Sequence, residues 1–186
     1  KKYLKNYGLE VKLLGKFGQN NMNTFKGKKI LVTGHTGFKG SWLCLFLKKM
    51  GAELTGIGLR DGNTEHFKML NLDIKNYFID INNLDMLKDI FSSNKFDLVI
   101  HMAAQPLVKY SYKYPIDTFK TNIIGTANIF ESSKLVNDLK GVLCITSDKC
   151  YKNLESINGY SEEDQLGGSD PYSSSKSCAE LIALSY

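Results

Sequence analysis

The feature that most constrains this chain is a glycine-rich turn between an apolar run and a helical pattern. The apolar run, residues 30–32, has the length and the β-branched character of a buried strand. Three glycines follow it, three residues apart: Gly34, Gly37 and Gly40. Apolar residues then recur at helical spacing from Trp42 until two lysines and Gly51, which is typical of the end of a helix. These patterns predict a strand, a tight turn and a helix.

A turn of this kind is suited to binding a phosphate group. Glycines let the backbone bend sharply and approach a bulky anion, and the N-terminus of the following helix offers N–H groups and partial positive charge. The spacing differs from the G-x-G-x-x-G that is usual in dinucleotide-binding enzymes. Taken alone, the glycines also fit a loop that binds nothing, so the interpretation depends on the rest of the chain.

Strand and helix patterns alternate after the turn. Four further strands are predicted, at residues 53–59, 77–81, 97–102 and 141–146. Helical patterns occupy residues 66–72, 84–91, 116–136 and the segment after Pro171. We expect His66 to be solvated at the surface. Alternation at this spacing predicts an α/β fold with a doubly wound parallel sheet, Rossmann-like in its organisation.

The composition is that of a single domain. A chain of 186 residues, 42% of them hydrophobic, can bury one core. The net charge of +5 is spread along the chain without a lysine cluster interleaved with aromatic residues, which argues against a nucleic-acid partner. No apolar stretch approaches the ~18 residues of a membrane span. The cysteines lack the spacing of a metal site, so we expect free thiols in a reducing cytoplasm and no metal.

Residues 1–21 do not continue the alternating pattern. They are basic, but they lack the apolar core and the cleavage site of a secretory signal. Met22 lies shortly before the first strand pattern. We therefore expect an extension of unknown origin at residues 1–21 and a dinucleotide-binding domain at residues 22–186. A partner-binding amphipathic helix in the extension is the alternative.

Several residues are candidates for contacts with a dinucleotide. An acidic residue about 20 positions beyond the glycines commonly holds the ribose hydroxyls. Asp61 stands there and favours NAD, whereas the adjacent Arg60 favours a 2′-phosphate, so the choice between NAD and NADP stays open. Ala103 and Ala104, after the fourth strand, leave space for a cofactor to cross the sheet edge. His101, inside the apolar run, is predicted to be a hydrogen-bonded core histidine.

The candidate catalytic residues follow the fifth strand and begin the last helix. Tyr172 and Lys176 are four residues apart and share one helix face. An ammonium near a phenol stabilises the phenolate, which makes Tyr172 a candidate base for a sugar hydroxyl while hydride moves to a nicotinamide. Ser147 is placed to hydrogen-bond the same oxygen. A tyrosine and a lysine on a solvated helix are the alternative, but the glycine turn and the strands favour dehydrogenase chemistry.

At these residues the chain resembles the extended short-chain dehydrogenase/reductases and, among them, the CDP-glucose 4,6-dehydratase family. Five stretches carry the resemblance: GHTGFKGSWL (34–43), HMAAQPLV (101–108), TNIIGT (121–126), TSDKCY (146–151) and DPYSSSK (170–176). It implies bound NAD, a nucleotide-sugar substrate (CDP-glucose), and a homodimer or homotetramer formed through the long helices. It also implies that this chain is the N-terminal part of a larger enzyme and lacks the C-terminal substrate region.

The resemblance assigns cofactor contacts residue by residue. The pyrophosphate would be lined by Gly34, Gly37 and Gly40, with four neighbours close by: His35, Thr36, Phe38 and Lys39. The adenine would be approached by Asp80 and Ile81. The nicotinamide side would be formed by Ala103, Ala104 and Gln105, and Tyr172 and Lys176 would also bind the cofactor.

The implied reaction is a dehydration with transient oxidation at C4 of the sugar. Tyr172 would assist the oxidation, after which a base removes the C5 proton, an acid protonates the departing C6 hydroxyl, and hydride returns to C6. Asp148 matches the family's acid. Lys149 stands where many sugar-nucleotide dehydratases carry a glutamate base, and a lysine acts as a base only when its pKa is lowered. A surface ion pair between Asp148 and Lys149 is the alternative.

Rival functions remain open on the sequence. UDP-N-acetylglucosamine 4,6-dehydratases share the Asp-Lys pair but differ in the glycine turn, and a 4-epimerase or reductase would normally lack the pair. A protein that binds NAD without turnover is the rival of another class. For the dehydratase, the expected role is in the synthesis of deoxysugars for surface polysaccharide such as lipopolysaccharide.

Overall fold

The computed structural model describes residues 24–60, 65–155, 157 and 159–186. The predicted extension at residues 1–21 and the candidate Asp61 lie outside the described residues. The strands are β1 (Lys29–Thr33), β2 (Glu53–Gly58), β3 (Lys75–Phe78), β4 (Leu98–His101) and β5 (Val142–Cys144). The helices are α1 (Phe38–Lys49), α2 (Glu65–Leu70), α3 (Leu84–Ser92), α4 (Val108–Lys113), α5 (Pro115–Phe119), α6 (Gly125–Ser133) and α7 (Pro171–Ser185).

The strands form one parallel sheet in the order β3-β2-β1-β4-β5. The chain first adds strands on one side of β1 and then crosses to the other side. The predicted doubly wound α/β fold is therefore confirmed. In such sheets the crevice outside the carboxyl ends of the strands, where the strand order reverses, is the usual ligand site. Here that point lies between β1 and β4.

The core has one layer on each face of the sheet, which explains the uninterrupted apolar run in β1. Ile30 and Val32 pack with α1 residues Cys44 and Leu47 on one face. Leu31 packs on the other face with residues of α3 and α6, among them Leu87, Phe91 and Ile129. Because successive side chains of a strand point to opposite faces, a strand covered on both sides needs apolar residues throughout.

The predicted elements are present, but several bounds differ. β3 ends at Phe78 rather than at residue 81 because the chain turns at Asp80, whose carboxylate accepts a hydrogen bond from the Asn82 N–H at 2.8 Å. β5 pairs over only three residues. Helix α4 was not predicted; it is short, and no side chain caps its N-terminus. Among the described residues, no helix is long and apolar enough to cross a membrane, and no group of residues has the make-up of a metal site. All four cysteines are free thiols.

The long helix predicted at residues 116–136 runs from α5 to α6 through a π-helical turn, Lys120–Ile124. π turns inside helices are frequent at functional sites. Gly125 follows this turn and lets the helix approach the end of β3, because a Cβ there would lie 2.5 Å from Cδ1 of Ile81. The long helix is therefore seated directly on the core beside the sheet edge.

Two buried histidines connect elements of the sheet. His101 in β4 lies between the hydroxyls of Thr33 (2.7 Å) and Thr126 (3.0 Å), which confirms the predicted core histidine. Burial lowers the pKa of the His101 imidazole to about 3, and the nearby Lys176 ammonium adds to the effect. His35 covers Gly56 and Gly58 of β2, and its Nε2 lies 2.9 Å from Oδ1 of Asn76.

Replacement of Gly56 by alanine should destabilise the fold. The added Cβ would lie 2.3 Å from Cδ2 of the fully buried His35 ring, so either the ring or the strand must shift. We expect the free energy of unfolding of Gly56→Ala to be about 1–3 kcal/mol lower than that of the wild type, as for other overpacked cores. Gly141→Ala is the matched control, because its Cβ would meet nothing within 4 Å. Urea unfolding of both variants tests this, and equal stabilities would contradict it.

His101 should make stability depend on pH below neutrality. Its pKa is 6.5 in the unfolded chain and about 3 in the fold, so at acid pH the unfolded state binds the proton and the folded state does not. Stability should therefore fall as the pH drops below 6.5, and His101 should account for about 1 kcal/mol between pH 7 and pH 5.5. His101→Gln should be less stable than the wild type at both pH values. Its free energy of unfolding, measured with urea, should nevertheless fall by about 1 kcal/mol less between pH 7 and pH 5.5 than that of the wild type. If the free energy of unfolding fell equally in the variant and the wild type, His101 would not be the source of the pH dependence.

Candidate active site

The glycine turn connects the end of β1 to the N-terminus of α1, which therefore lies at the edge of the sheet. Gly34 has φ +71°, a conformation that favours glycine, and its N–H donates to the Ile57 carbonyl at 2.7 Å. The Gly37 N–H closes the turn on the Gly34 carbonyl at 3.1 Å. α1 then begins at Phe38 without a side-chain cap. An anion at this end would find backbone donors and the positive end of the helix dipole.

Close contacts explain why glycine stands at two positions of the turn. A Cβ on Gly34 would lie 2.8 Å from the backbone nitrogen of Ala103, and a Cβ on Gly40 would lie 2.1 Å from the Gly34 carbonyl oxygen. Neither position has room for a side chain. The contact between Gly34 and Ala103 brings the turn and the end of β4 together, at the edge where ligands of such sheets usually bind.

Other side chains near the turn are distributed between the core and the surface. His35 was predicted beside a pyrophosphate, but its imidazole is buried against β2 and β3, so only its backbone is left for that role. Burial also lowers the pKa of this imidazole. Thr36 is buried, with its hydroxyl donating to the Leu59 carbonyl at 3.2 Å. Phe38 and Lys39 are exposed.

His66 is not the solvated residue that the sequence predicted. Its Nδ1 lies 2.6 Å from the Ser41 hydroxyl, and its ring centroid is 4.7 Å from that of Trp42 and 5.6 Å from that of Phe38. The histidine therefore connects α2 to the first turns of α1. Local sequence did not reveal this contact, because it joins two helices separated by a strand.

The candidate adenine side lies at the ends of β2 and β3. The Asp80 carboxylate is exposed at the turn that ends β3, where it also accepts from the Asn82 amide at 3.0 Å. The Ile81 side chain belongs to the core, and its carbonyl accepts from the Asn128 amide at 3.0 Å, so any contact with adenine must come from its backbone. The Arg60 guanidinium lies over the Phe78 ring, 4.9 Å from its centroid.

Gln105 shapes the loop after β4 with its side chain. Its amide nitrogen donates to the Thr118 hydroxyl at 2.9 Å, and its carbonyl oxygen accepts from the Leu107 N–H at 2.5 Å. Ala103 and Ala104, both half-buried, precede it. The Gln105 amide nitrogen also donates to the Leu107 carbonyl at 3.1 Å. The predicted nicotinamide contact of the Gln105 side chain therefore competes with three internal hydrogen bonds.

Asn122 is a further candidate site residue, which was not among the candidates predicted from the sequence. It is almost completely buried in the π turn, exchanges hydrogen bonds with the backbone of Gln105 at 2.7 and 3.1 Å, and donates to the Ser175 hydroxyl at 2.9 Å. It thereby connects the loop after β4 to the helix that carries Tyr172. An asparagine within an otherwise helical apolar pattern was the available signal.

Helix α7 brings Lys176 to the end of β5 and carries Tyr172 one turn earlier. Its N-cap is Asp170, whose carboxylate accepts from the Ser173 N–H at 3.0 Å. Tyr172 is 9% exposed and Lys176 is 7% exposed. The Lys176 ammonium donates to the Ile145 carbonyl at 3.2 Å. Burial lowers the pKa of this ammonium, while Cys144, Glu180 and Cys150 act in the opposite direction.

The candidate acid and base stand in a single 3₁₀ turn after β5, Asp148–Cys150. The Ser147 hydroxyl caps it by accepting from the Lys149 N–H at 3.1 Å. Ser147 is half-buried, and the Asp148 and Lys149 side chains are exposed. No ion pair between these two side chains is present in the described part of the chain. The turn therefore presents a hydroxyl, a carboxyl group and an amine next to the end of β5.

These elements converge on one edge of the sheet. The glycine turn meets the end of β4, and Lys176 meets the end of β5, which pairs with β4. A cradle without room for side chains, followed by a buried lysine and tyrosine, fits a dinucleotide whose pyrophosphate lies at α1 and whose reactive end lies at α7. The arrangement can support hydride transfer and acid–base chemistry on a bound alcohol.

Comparisons with known proteins agree with this geometry. The chain is 46% identical over 168 residues to CDP-glucose 4,6-dehydratase of Salmonella typhimurium, covering 88% of this chain and 46% of that protein. Among solved structures, Pal from Bacillus thuringiensis has a TM-score of 0.75 at 31% identity over 85% of this chain and 51% of its own. MoeE5 in complex with UDP-glucose and NAD has a TM-score of 0.70 at 26% identity, over 84% of this chain and 48% of its own.

The chain thus spans about half the length of these relatives. Residues 31–186 match the protein family described as GDP-mannose 4,6 dehydratase. The resemblance to the extended short-chain dehydrogenase/reductases is confirmed, and the chain belongs to the GDP-mannose 4,6 dehydratase family.

Proposed function

We propose that the protein to which this chain belongs is an NAD-dependent CDP-glucose 4,6-dehydratase, which converts CDP-glucose to CDP-4-keto-6-deoxyglucose. The observation that carries the proposal is the position of Lys176, which is buried one helical turn after the buried Tyr172 on α7. Its ammonium is hydrogen-bonded to the strand end that leads directly into Ser147, Asp148 and Lys149. The candidate oxidation and elimination groups therefore lie on adjoining segments. The 46% identity with the Salmonella enzyme supports CDP-glucose as substrate.

The chain's residues fit NAD. The approach of Gly34 to Ala103, and of Gly40 to Gly34, forms a cradle that side chains would fill, and α1 begins there without a side-chain cap. NAD as the dinucleotide is supported by MoeE5, whose structure contains it. Arg60 is engaged with the Phe78 ring, which favours a role other than binding a 2′-phosphate.

The residues would divide the reaction as follows. Bound NAD supplies reversible hydride acceptance between C4 and C6 of the sugar. Tyr172 would take the proton of the C4 hydroxyl, with Ser147 holding the same oxygen. Lys149 would remove the C5 proton, which the neighbouring ketone makes acidic, and would return a proton to C5 when hydride is added at C6. Asp148 would protonate the departing C6 hydroxyl. Lys176 would orient the cofactor and stabilise the tyrosinate.

Exposed apolar side chains support a homodimer or homotetramer. Two lie along the segment from α5 to the π turn, Ile116 at 62% and Ile124 at 53% exposure. Two others lie on α7, Leu181 at 56% and Leu184 at 57% exposure. We propose that these helices pack against their copies in a second subunit, because α7 contacts both α5 and the π turn, and exposed apolar side chains on adjoining helices favour an interaction surface. The proposed setting is cytoplasmic synthesis of deoxysugars for surface polysaccharide.

Isotope transfer tests the proposed reaction. CDP-glucose deuterated at C4 is incubated with NAD and either this chain or the full-length protein, and the product is analysed by NMR. We expect a 4-keto-6-deoxy sugar with deuterium at C6, because the hydride removed from C4 returns to C6. Product without deuterium at C6, or the C4 epimer of the substrate, would contradict the dehydratase. NAD binding without conversion of CDP-glucose would favour another sugar nucleotide or a non-catalytic NAD-binding protein.

The role of Tyr172 predicts a selective loss of turnover. Tyr172→Phe removes the phenolic proton acceptor but keeps the ring, so kcat should fall by a factor of about 10²–10⁴ with little change in KM. Tyr112→Phe is the matched control, since that ring is 66% exposed and lies on α4. Steady-state kinetics of both variants with CDP-glucose tests this. Equal kcat values for Tyr172→Phe and the wild type would remove Tyr172 from the mechanism.

A further inference from the structure

Glu180 has no role in the proposed reaction, yet it contacts the segment that carries the candidate acid and base. It stands one helical turn beyond Lys176 on α7 and shares its face. Its carboxylate accepts a short hydrogen bond from the Thr146 hydroxyl. Thr146 immediately precedes Ser147, so this bond fixes the point at which the chain leaves β5 for the 3₁₀ turn.

The far end of the same turn is also attached to α7. The Ser177 hydroxyl donates to the Cys150 carbonyl at 2.6 Å. The Cys150 thiol is 2% exposed, and burial together with the nearby Glu180 carboxylate raises its pKa to about 11. Thr146 and Cys150 therefore both lie against the helix face that Glu180 presents. The exposed Asp148 and Lys149 project from a turn that is held at its two ends.

We propose that Glu180 is a positioning residue, which holds Thr146 and thereby keeps Asp148 and Lys149 in register with Tyr172 and Lys176. The kinetic part of this inference rests on the proposed function. Asp148, Lys149 and Tyr172 must meet one sugar ring, while Lys176 holds the cofactor beside it. A displacement of a catalytic group by about 1 Å can cost a factor of about 10² in rate. The hydrogen bond between Glu180 and Thr146, which we call the clamp, does not depend on which substrate the protein uses.

The kinetic test uses conservative and disruptive variants of the full-length protein. Glu180→Ala should lower kcat for CDP-glucose by a factor of about 10–100 with less than about a threefold change in KM, because the acid and base are displaced while the binding surface is retained. Glu180→Gln keeps an acceptor for Thr146 and should retain kcat within about threefold. Glu163→Ala, at an exposed site, is the control and should match the wild type.

Thr146 variants provide the second arm. Thr146→Val removes the hydroxyl and should reproduce the kinetics of Glu180→Ala, while Thr146→Ser should restore the wild-type values. The Thr146→Val/Glu180→Ala double variant should be no slower than Glu180→Ala alone, because the hydrogen bond that Thr146→Val removes is already absent in Glu180→Ala. If the reductions in kcat of the two single variants multiplied in the double variant, the proposal would be overturned. A wild-type kcat in Glu180→Ala, or a change in KM alone, would overturn it as well.

Alkylation of Cys150 separates this inference from the proposed function. Iodoacetamide labelling, followed by mass spectrometry, should be roughly tenfold faster at Cys150 in Thr146→Val than in the wild type, because the turn is released. This variant leaves the Glu180 charge in place, so a faster reaction reports greater exposure of the thiol and not the removal of that charge. If the wild type converts no CDP-glucose, the proposed function fails while this measurement still decides the clamp. Unchanged protection of Cys150 would overturn it.

Discussion

The site depends on one close backbone contact, between Gly34 at the end of β1 and Ala103 at the end of β4. A Cβ at Gly34 would come within 2.8 Å of the Ala103 nitrogen, and the Gly34 N–H is at the same time bonded to Ile57 at the end of β2. One residue thus joins the ends of three neighbouring strands. Because this contact leaves no space for a side chain, the backbone of the turn lies against the ends of these strands. Helix α1 begins four residues later, at Phe38.

The second constraint is the seating of α7 on the end of β5. Lys176 is buried, and its ammonium is bonded to a backbone carbonyl rather than to an acid. Burying an ammonium is costly without partners, and the neighbouring Glu180 carboxylate offsets part of that cost. The same carboxylate holds Thr146. A lysine kept in such a position is more easily explained by function than by stability.

Much of this arrangement could be predicted from sequence because it is local. The apolar run of β1 has the pattern of a strand buried on both faces, and the glycines after it have the pattern of a turn before a helix. Tyr172 and Lys176 share a face by spacing alone. His101 was predicted to be a core histidine because it interrupts an apolar strand, and its two threonine partners satisfy it.

The remaining features depend on contacts between distant segments, which spacing does not encode. His35 stands in the glycine turn, yet its ring is directed to β2 because Gly56 and Gly58 leave a space there. Ile81 enters the core because Gly125 lets the long helix approach. His66 appeared solvated in sequence, and its contact with Ser41 exists only once α1 and α2 are packed. The partnership of Glu180 and Thr146 likewise spans two elements.

The most direct test of the account is a crystal structure of the protein with NAD bound. The account predicts the pyrophosphate on the backbone N–H groups from Gly37 to Gly40. It also predicts the nicotinamide ribose at the Lys176 ammonium, with Ala103 between these two groups. A dinucleotide bound in any other position, or one whose nicotinamide end lies away from Tyr172 and Lys176, would contradict the central claim.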